Sequence, residues 1–356
     1  MTAICDPLPN VHEDYRTTLR PDIAVYTDYR RLLDEAKVDA VFVTAPDYLH
    51  EEMSLAALNR GLHVFLEKPM AITIEGCDRI LEAARKNGVK LYLGHNMRFS
   101  PIIRKMKEII DSGRIGQVEA IWCRHFIAYG GDAYFKDWHS EQKYSTGLLL
   151  QKGAHDIDVI HHLAGAYTTR TVGMGKLSVY NQVTDRRKED ERVSVAFNLQ
   201  NWPPLSQKKL SPVIDVEDHS MILMQLSNGV QATYEQCHYT PDSCRNYTVI
   251  GTHGRIENCS DFSVPESEAV IRIWDRRVTY LENGTTAVSV PPLSVSGGHG
   301  GADPLIVEAF LKYLKTGEHD GAKPIDARQA VATGVMATKS LRNGNMPYDI
   351  PPIGCL

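Results

Sequence analysis

The first hundred residues alternate short apolar runs with helical patterns, and this alternation narrows the possible folds more than any other feature of the chain. AVFVTA (40–45) is almost unbroken in β-branched and aromatic side chains, which predicts a parallel strand covered on both faces. DIAV (22–25), HVFL (63–66) and KLYLG (90–94) predict three more strands. Between them, Asp28 reads as the N-cap of a helix to Ala36, and a second helix runs from about Leu49 to Arg60 and stops at Gly61. Thr73 caps a third helix, with Ile74, Cys77, Leu81 and Ala84 at helical spacing and Gly88 just past its end. Strands and helices in this rhythm imply right-handed crossovers and a doubly wound parallel sheet.

After Gly116 the rhythm changes. Residues 117–128, 171–180, 219–227, 230–239 and 269–290 read as strands, and Asn228-Gly229 is a two-residue hairpin signal. One helix, from Gly153 to Ala164, interrupts them. Two close the chain, one opened by Asp303-Pro304 and one capped by Asp326. The mixed-charge stretch 185–212 reads as a solvated loop. The predicted fold is therefore an α/β Rossmann-type parallel sheet, N-terminally incomplete, in residues 1–116, followed by an α+β domain with a large mostly antiparallel sheet in 117–356.

A formal charge of −5 argues against a nucleic-acid partner, because that affinity rests on basic patches. No apolar run approaches the roughly 20 residues needed to cross a bilayer, so no membrane partner is expected. MTAICDPLPN shows no signal-peptide pattern, and seven scattered cysteines without a C-x-x-C favour free thiols in a reducing cytoplasm.

Open parallel sheets bind ligands outside the carboxyl ends of their strands. Those ends lead here into Thr44-Ala45-Pro46-Asp47-Tyr48-Leu49-His50, Glu67-Lys68-Pro69 and His95-Asn96-Met97-Arg98-Phe99-Ser100-Pro101. The interrupting helix opens Gln151-Lys152-Gly153-Ala154-His155-Asp156-Ile157-Asp158. The order TAPxxxH, EKP, NxRFxP, GxHxxD over nearly the whole chain resembles the glucose–fructose oxidoreductase / inositol dehydrogenase (Gfo/Idh/MocA) family.

That resemblance implies an oxidoreductase that uses NAD, with NADP the lesser candidate, and acts on a sugar, polyol or glycoside. It implies a homodimer or homotetramer, and no metal. It places Lys68 beside the nicotinamide as a proton-transfer group, with His155 as a second. Glu67, Thr44, Ala45, Pro46, His50 and Asn96 would line the cofactor, and Asp6 would bind its adenosine ribose. Arg98 would contact substrate or fasten the domains. Asp158, one turn after His155, would orient the helix or the imidazole near substrate. Trp138, in KDWH, falls near the cleft mouth, His299 in a glycine loop that could reach substrate or act as a hinge, and His161 and His162 read as structural.

Two departures stand out. Many family members carry an aspartate where this chain has Gln151, which can hold a hydroxyl but cannot take up a proton. The G-x-G-x-x-G turn that should precede Asp6 is absent, because only five residues come before it. Without a first strand, the strands on either side would face a gap with unpaired backbone groups. Either the chain starts late, or the protein has lost tight dinucleotide binding and serves as a non-catalytic sensor or partner-binding protein; the intact nicotinamide-side residues favour the first.

Overall fold

The computed structural model describes residues 1–191, 193, 196–259, 269–279, 281–291, 293 and 298–353. Position 280 within the 269–290 stretch, residue 297 of the glycine loop and Cys355 fall outside that set.

The parallel strands form two sheets. β1 (Ala3–Cys5) pairs with β2 (Ala24–Tyr26), and β3 (Ala40–Val43) pairs with β4 (His63–Leu66), which pairs with β5 (Leu91–Leu93). Among the described residues no strand joins β1 to β3, so β3 is an edge strand. Its Phe42 is 46% exposed, which corrects the expectation of cover on both faces. Phe42 stacks on Phe65 and meets Phe310 edge-on.

The helices of this half follow their local signals. α1 (His12–Thr18) lies between β1 and β2. α2 (Tyr29–Glu35) is capped by Asp28, which accepts from the Arg30 amide. α3 (His50–Leu58) gives way to Gly61 at positive φ. α4 (Ile74–Asn87) is capped by Thr73 and terminated by left-handed Gly88, and α5 (Pro101–Asp111) starts on its proline.

The second sheet has nine strands in the order β13-β12-β11-β10-β6-β9-β8-β7-β14. They are β6 (Val118–Phe126), β7 (Thr168–Lys176), β8 (His219–Leu226), β9 (Gln231–Cys237), β10 (Cys244–Gly251), β11 (Arg255–Asn258), β12 (Val270–Trp274), β13 (Thr286–Ser289) and β14 (Tyr348–Asp349). Only β6–β9 is parallel. The Asn228-Gly229 turn closes β8 onto β9, with the Leu226 amide donating to the Val230 carbonyl at 2.9 Å. β10 and β11 escape the sequence reading, although β10 pairs with β6 along its whole length.

Short helices α6 (Gly130–Ala133), α7 (Gln142–Ser145) and α8 (Leu148–Gln151) lead into α9 (Gly153–Ala164). The chain closes with α10 (Ala302–Thr316) and α11 (Pro324–Arg342). Two cap expectations are corrected. Asp303 lies inside the first turn of α10, its carboxylate taken by His299 and Asn96. Asp326 is the third residue of α11 and accepts from the Lys323 amide at 2.8 Å, the reciprocal half of a capping box.

Packing crosses the boundary at 116. Phe310 of α10 joins Phe65 and Tyr92, and Ala327 and Val331 of α11 join Leu66, Ile80 and Leu93 in one core. α11 also lies on β7, where a Cβ added at Gly173 would come within 2.3 Å of the Ala337 carbonyl oxygen. No helix among the described residues is long and apolar enough to cross a membrane.

Gly173→Ala must therefore push β7 off α11. It should cost about 1–3 kcal/mol, the usual range for overpacking, and lower the calorimetric melting temperature. An unchanged melting temperature would contradict this packing.

Candidate functional site

The site forms where the carboxyl ends of β3 and β4 meet the start of α9. After β3 the chain turns through Thr44, exposed, then Ala45 and Pro46, half-buried, into the short turn Asp47–Leu49. His50 is 1% exposed and braces two turns at once: Nδ1 lies 2.7 Å from the Pro69 carbonyl and Nε2 2.8 Å from the Ala45 carbonyl. A neutral imidazole has one N–H to offer, and burial opposes the second proton. With both nitrogens so committed, His50 holds the two loops together.

β4 ends in Glu67 and Lys68, and the Lys68–Pro69 bond is cis. Glu67 accepts from the Lys68 amide at 3.1 Å, and burial pushes its carboxyl up. Gly94 makes room for it, since a Cβ there would sit 2.8 Å from the Glu67 carboxyl. The Lys68 ammonium reaches across and donates to the Gln151 carbonyl oxygen at 3.3 Å.

The opposite wall is the α8–α9 junction. Gln151 is 5% exposed and its Oε1 has no hydrogen-bond partner; His155 is 6% exposed and its Nδ1 has none. Burial, followed by the charges of Lys68, Arg245 and Lys152, holds His155 well below the usual histidine range, so the ring is neutral near pH 7. Its Nδ1 can accept a hydrogen bond, but burial and these charges oppose a proton there near neutrality. Burial, Lys68 and Lys152 hold His139 down to about 3. The His139 ring stacks on Trp138, which meets Tyr48 edge-on, and Tyr144 tilts against Tyr48 to complete an aromatic rim.

Asp158 and Arg98 meet each other behind this wall. Asp158 is fully buried and receives both arms of the Arg98 guanidinium, at 2.8 and 2.7 Å; Arg98 also lies 3.1 Å from Asp326. Burial alone would raise the Asp158 carboxyl, but His95 and Arg98 reverse that and hold it low. This pair fastens α9 to α11 and to the turn after β5, the fastening alternative that the sequence left open for Arg98. His161 accepts from the Thr168 amide at 3.1 Å, a structural link. Asp156, two residues earlier, is bound by Arg245, His125 and the Tyr247 hydroxyl.

Asn96 is 7% exposed, donates to Asp303 at 2.7 Å and keeps Oδ1 unpartnered. His299 pairs with the same Asp303 at 2.9 Å, so the glycine loop closes over the Asn96 side of the site. Asp6, at the end of β1, accepts from the Leu8 amide at 2.8 Å and the Tyr15 hydroxyl at 3.0 Å. It stands apart from the Lys68 cluster, on the far side of the break between the sheets.

Sequence reasoning missed Asp47, His95 and Asp303 as members of this region. Asp47 and His95 lay inside quoted motifs, yet only three-dimensional closure shows them turned inward. A nicotinamide and its ribose fit a cleft whose buried Asn96 Oδ1, Gln151 Oε1 and His155 Nδ1 await donors. For a pyrophosphate, the described residues offer no glycine-rich turn between a parallel strand and its helix.

The fold and this cleft define a two-domain oxidoreductase of Rossmann type. Residues 1–95 match "Oxidoreductase family, NAD-binding Rossmann fold" and residues 107–350 match "Oxidoreductase family, C-terminal alpha/beta domain". The chain belongs to the Gfo/Idh/MocA oxidoreductase family. It is 26% identical to YteT of Bacillus subtilis over 79% of this chain and 73% of that protein. It is 32% identical to inositol 2-dehydrogenase of Salmonella typhimurium over 46% of each, so the matched stretch spans about half of that relative. Levoglucosan dehydrogenase, solved with NADH and L-sorbose, shares the fold at TM-score 0.80 and 18% identity, over 99% of this chain and 90% of that one.

Burial, with Arg245 next, holds His125 down to about 3, and burial holds His161 down to about 4. A folded state that binds fewer protons than the unfolded chain is stable above the unfolded pKa of about 6.5 and loses stability as pH falls below it. Each of these two rings should cost about 1 kcal/mol per pH unit in that window. Urea midpoints measured from about pH 7 downward should fall steadily below about pH 6.5, and a flat profile would contradict the neutral assignment.

Proposed function

We propose that this chain is an NAD-dependent oxidoreductase that moves a hydride between nicotinamide and a hydroxyl carbon of a sugar, inositol or glycoside. The observation that carries the reading is the Lys68 ammonium poised on the Gln151 carbonyl oxygen, opposite a neutral His155 with a free ring nitrogen. A bound nicotinamide supplies the hydride acceptor. Lys68 holds the reacting hydroxyl and its proton, and His155 accepts a hydrogen bond or proton from the same or the neighbouring hydroxyl. Gln151 Oε1 orients a second hydroxyl, Glu67 and Asn96 face the ribose and amide, and the Trp138–His139 stack closes the rim. Thr44, Ala45 and Pro46 line the approach from β3. Asp6 binds the adenosine ribose and favours NAD over NADP.

The division of labour follows the boundary near residue 116, with the parallel strands serving the cofactor and the nine-stranded sheet serving substrate and assembly. Trp122, Leu223, Met174 and Met221 are about half exposed on one face of that sheet, in register through Thr233 and Glu235. A second copy of the chain covering this face would give the homodimer or homotetramer. Free cysteines at all six described positions support a reducing compartment, the cytoplasm.

The test is an NAD titration by fluorescence, followed by a screen of inositols, aldoses and glycosides for NADH formation. Lys68→Ala should lower kcat by about 10²–10⁴-fold, the range for a general acid–base group, while NAD still binds. Failure to bind NAD would overturn this reading in favour of a non-catalytic sensor.

A further inference from the structure

The walls of the cleft are tied at a second point, away from the reacting groups. Thr146 lies between α7 and α8, and its hydroxyl donates to the Ile72 carbonyl at 2.7 Å, in the segment that follows Lys68. Its backbone sits at φ 63° and ψ −47°, a conformation that a β-branched residue rarely adopts. Two further bonds hold it there. The Thr146 amide donates to the Gln142 carbonyl at 2.8 Å, and its carbonyl accepts from Arg342 at 2.8 Å. Arg342 is itself fixed by both carboxylate oxygens of Glu217, at 2.8 and 2.9 Å. Backbone strain of this kind persists only where the surroundings over-determine it. Here α7, α11 and the loop after β4 converge on one residue, and the backbone it is forced to keep aims its hydroxyl across the cleft.

This tie and the Lys68 bond bracket the same two segments. At one end the Lys68 ammonium donates to the Gln151 carbonyl oxygen at 3.3 Å, and at the other Ile72 accepts from Thr146. Segments 68–72 and 146–151 are thus joined at both ends. The Gly147 carbonyl accepts from the Leu150 and Gln151 amides, at 3.1 and 2.9 Å, so whatever fixes Thr146 also fixes Gln151 and the entrance to α9. Only one of the two ties survives turnover. A Lys68 that turns to a substrate hydroxyl gives up the Gln151 carbonyl, while the Thr146 hydroxyl keeps Ile72.

We infer that Thr146 is a positioning residue that holds the end of β4 and the α8–α9 wall at the spacing Lys68 needs when it handles the reacting hydroxyl. This rests on the oxidoreductase reading of the site. Thr146 touches no reacting group in that scheme and acts through Lys68 and Gln151. Reacting atoms held slightly out of place lose rate steeply, so the loss should appear in kcat and not in cofactor binding. Thr146→Val keeps the shape and the unusual backbone but loses the hydroxyl, and Thr146→Ser keeps the hydroxyl. Thr146→Gly loses the hydroxyl and relaxes the backbone. With a polyol that the parent turns over, kcat should fall by about 10-fold or more in Thr146→Val and Thr146→Gly, and by less than about 3-fold in Thr146→Ser. KM for NAD should stay within about 2-fold in all three.

Crystal structures of the same variants give a readout independent of turnover. The separation between Lys68 Nζ and the Gln151 carbonyl oxygen should open beyond about 3.5 Å in Thr146→Val and stay within hydrogen-bond reach in Thr146→Ser. Parent-like kcat in Thr146→Val, recovery of the parent rate in Thr146→Gly, or an unchanged separation in Thr146→Val would overturn the inference. If Thr146→Val does not fold, Thr146→Gly takes its place in both arms. A parent chain that oxidises no polyol would sink the function proposed above, while the crystallographic arm still decides whether Thr146 sets the spacing.

Discussion

Two buried aspartates within one turn of α9 determine where everything else in the cleft can be. Asp158 is locked by Arg98, and Asp156 by Arg245, His125 and Tyr247. Removing one partner from a buried pair costs about 3–5 kcal/mol, because the other charge is left stranded. The two carboxylates point to different neighbours, one toward α11 and the turn after β5, the other into the face of the nine-stranded sheet. α9 therefore can neither rotate nor slide without breaking one of them. His155, which directly precedes Asp156, and Gln151 at the helix entrance inherit that fixed orientation.

The same arrangement sets the electrostatics. Arg245 neutralises Asp156 but also acts on His155, together with Lys68 and Lys152. The cleft thus has cationic walls and little solvent, in which its imidazoles stay neutral near pH 7. This inverts the usual expectation that histidine is the titrating group near pH 7.

Much of this was legible in the sequence. The Thr73 cap, the Gly88 stop, the Asn228-Gly229 hairpin and the bounds of α9 depend on neighbours within a few residues, and local chemistry fixes them. The failures are of another kind. β10 goes unassigned because Arg245 and Asn246 interrupt its apolar pattern, yet both are buried and hydrogen-bond to β6, about 120 residues earlier. Asp303 and Asp326 carry capping chemistry in sequence, but long-range partners recruit the first and a one-turn offset moves the second. Substrate contact and fastening could not be separated for Arg98 in sequence, and only the fold brings its guanidinium to Asp158. Buried polar groups are chosen by tertiary neighbours that no local window contains.

The division of the parallel strands into two sheets has a consequence for how the molecule opens. The β1–β2 ribbon is joined to the rest mainly through α2, whose links to α3 include the exposed pairs Arg30–Glu52 and Arg60–Asp34. Exposed pairs contribute little, typically 0–1 kcal/mol each. The first thirty-odd residues therefore form their own foldon, able to detach and reattach while β3–β5 stay anchored by α10 and α11. Among the described residues the β3 edge, with Phe42 half exposed on it, is already unpaired, an apolar edge of the sort that recruits foreign strands.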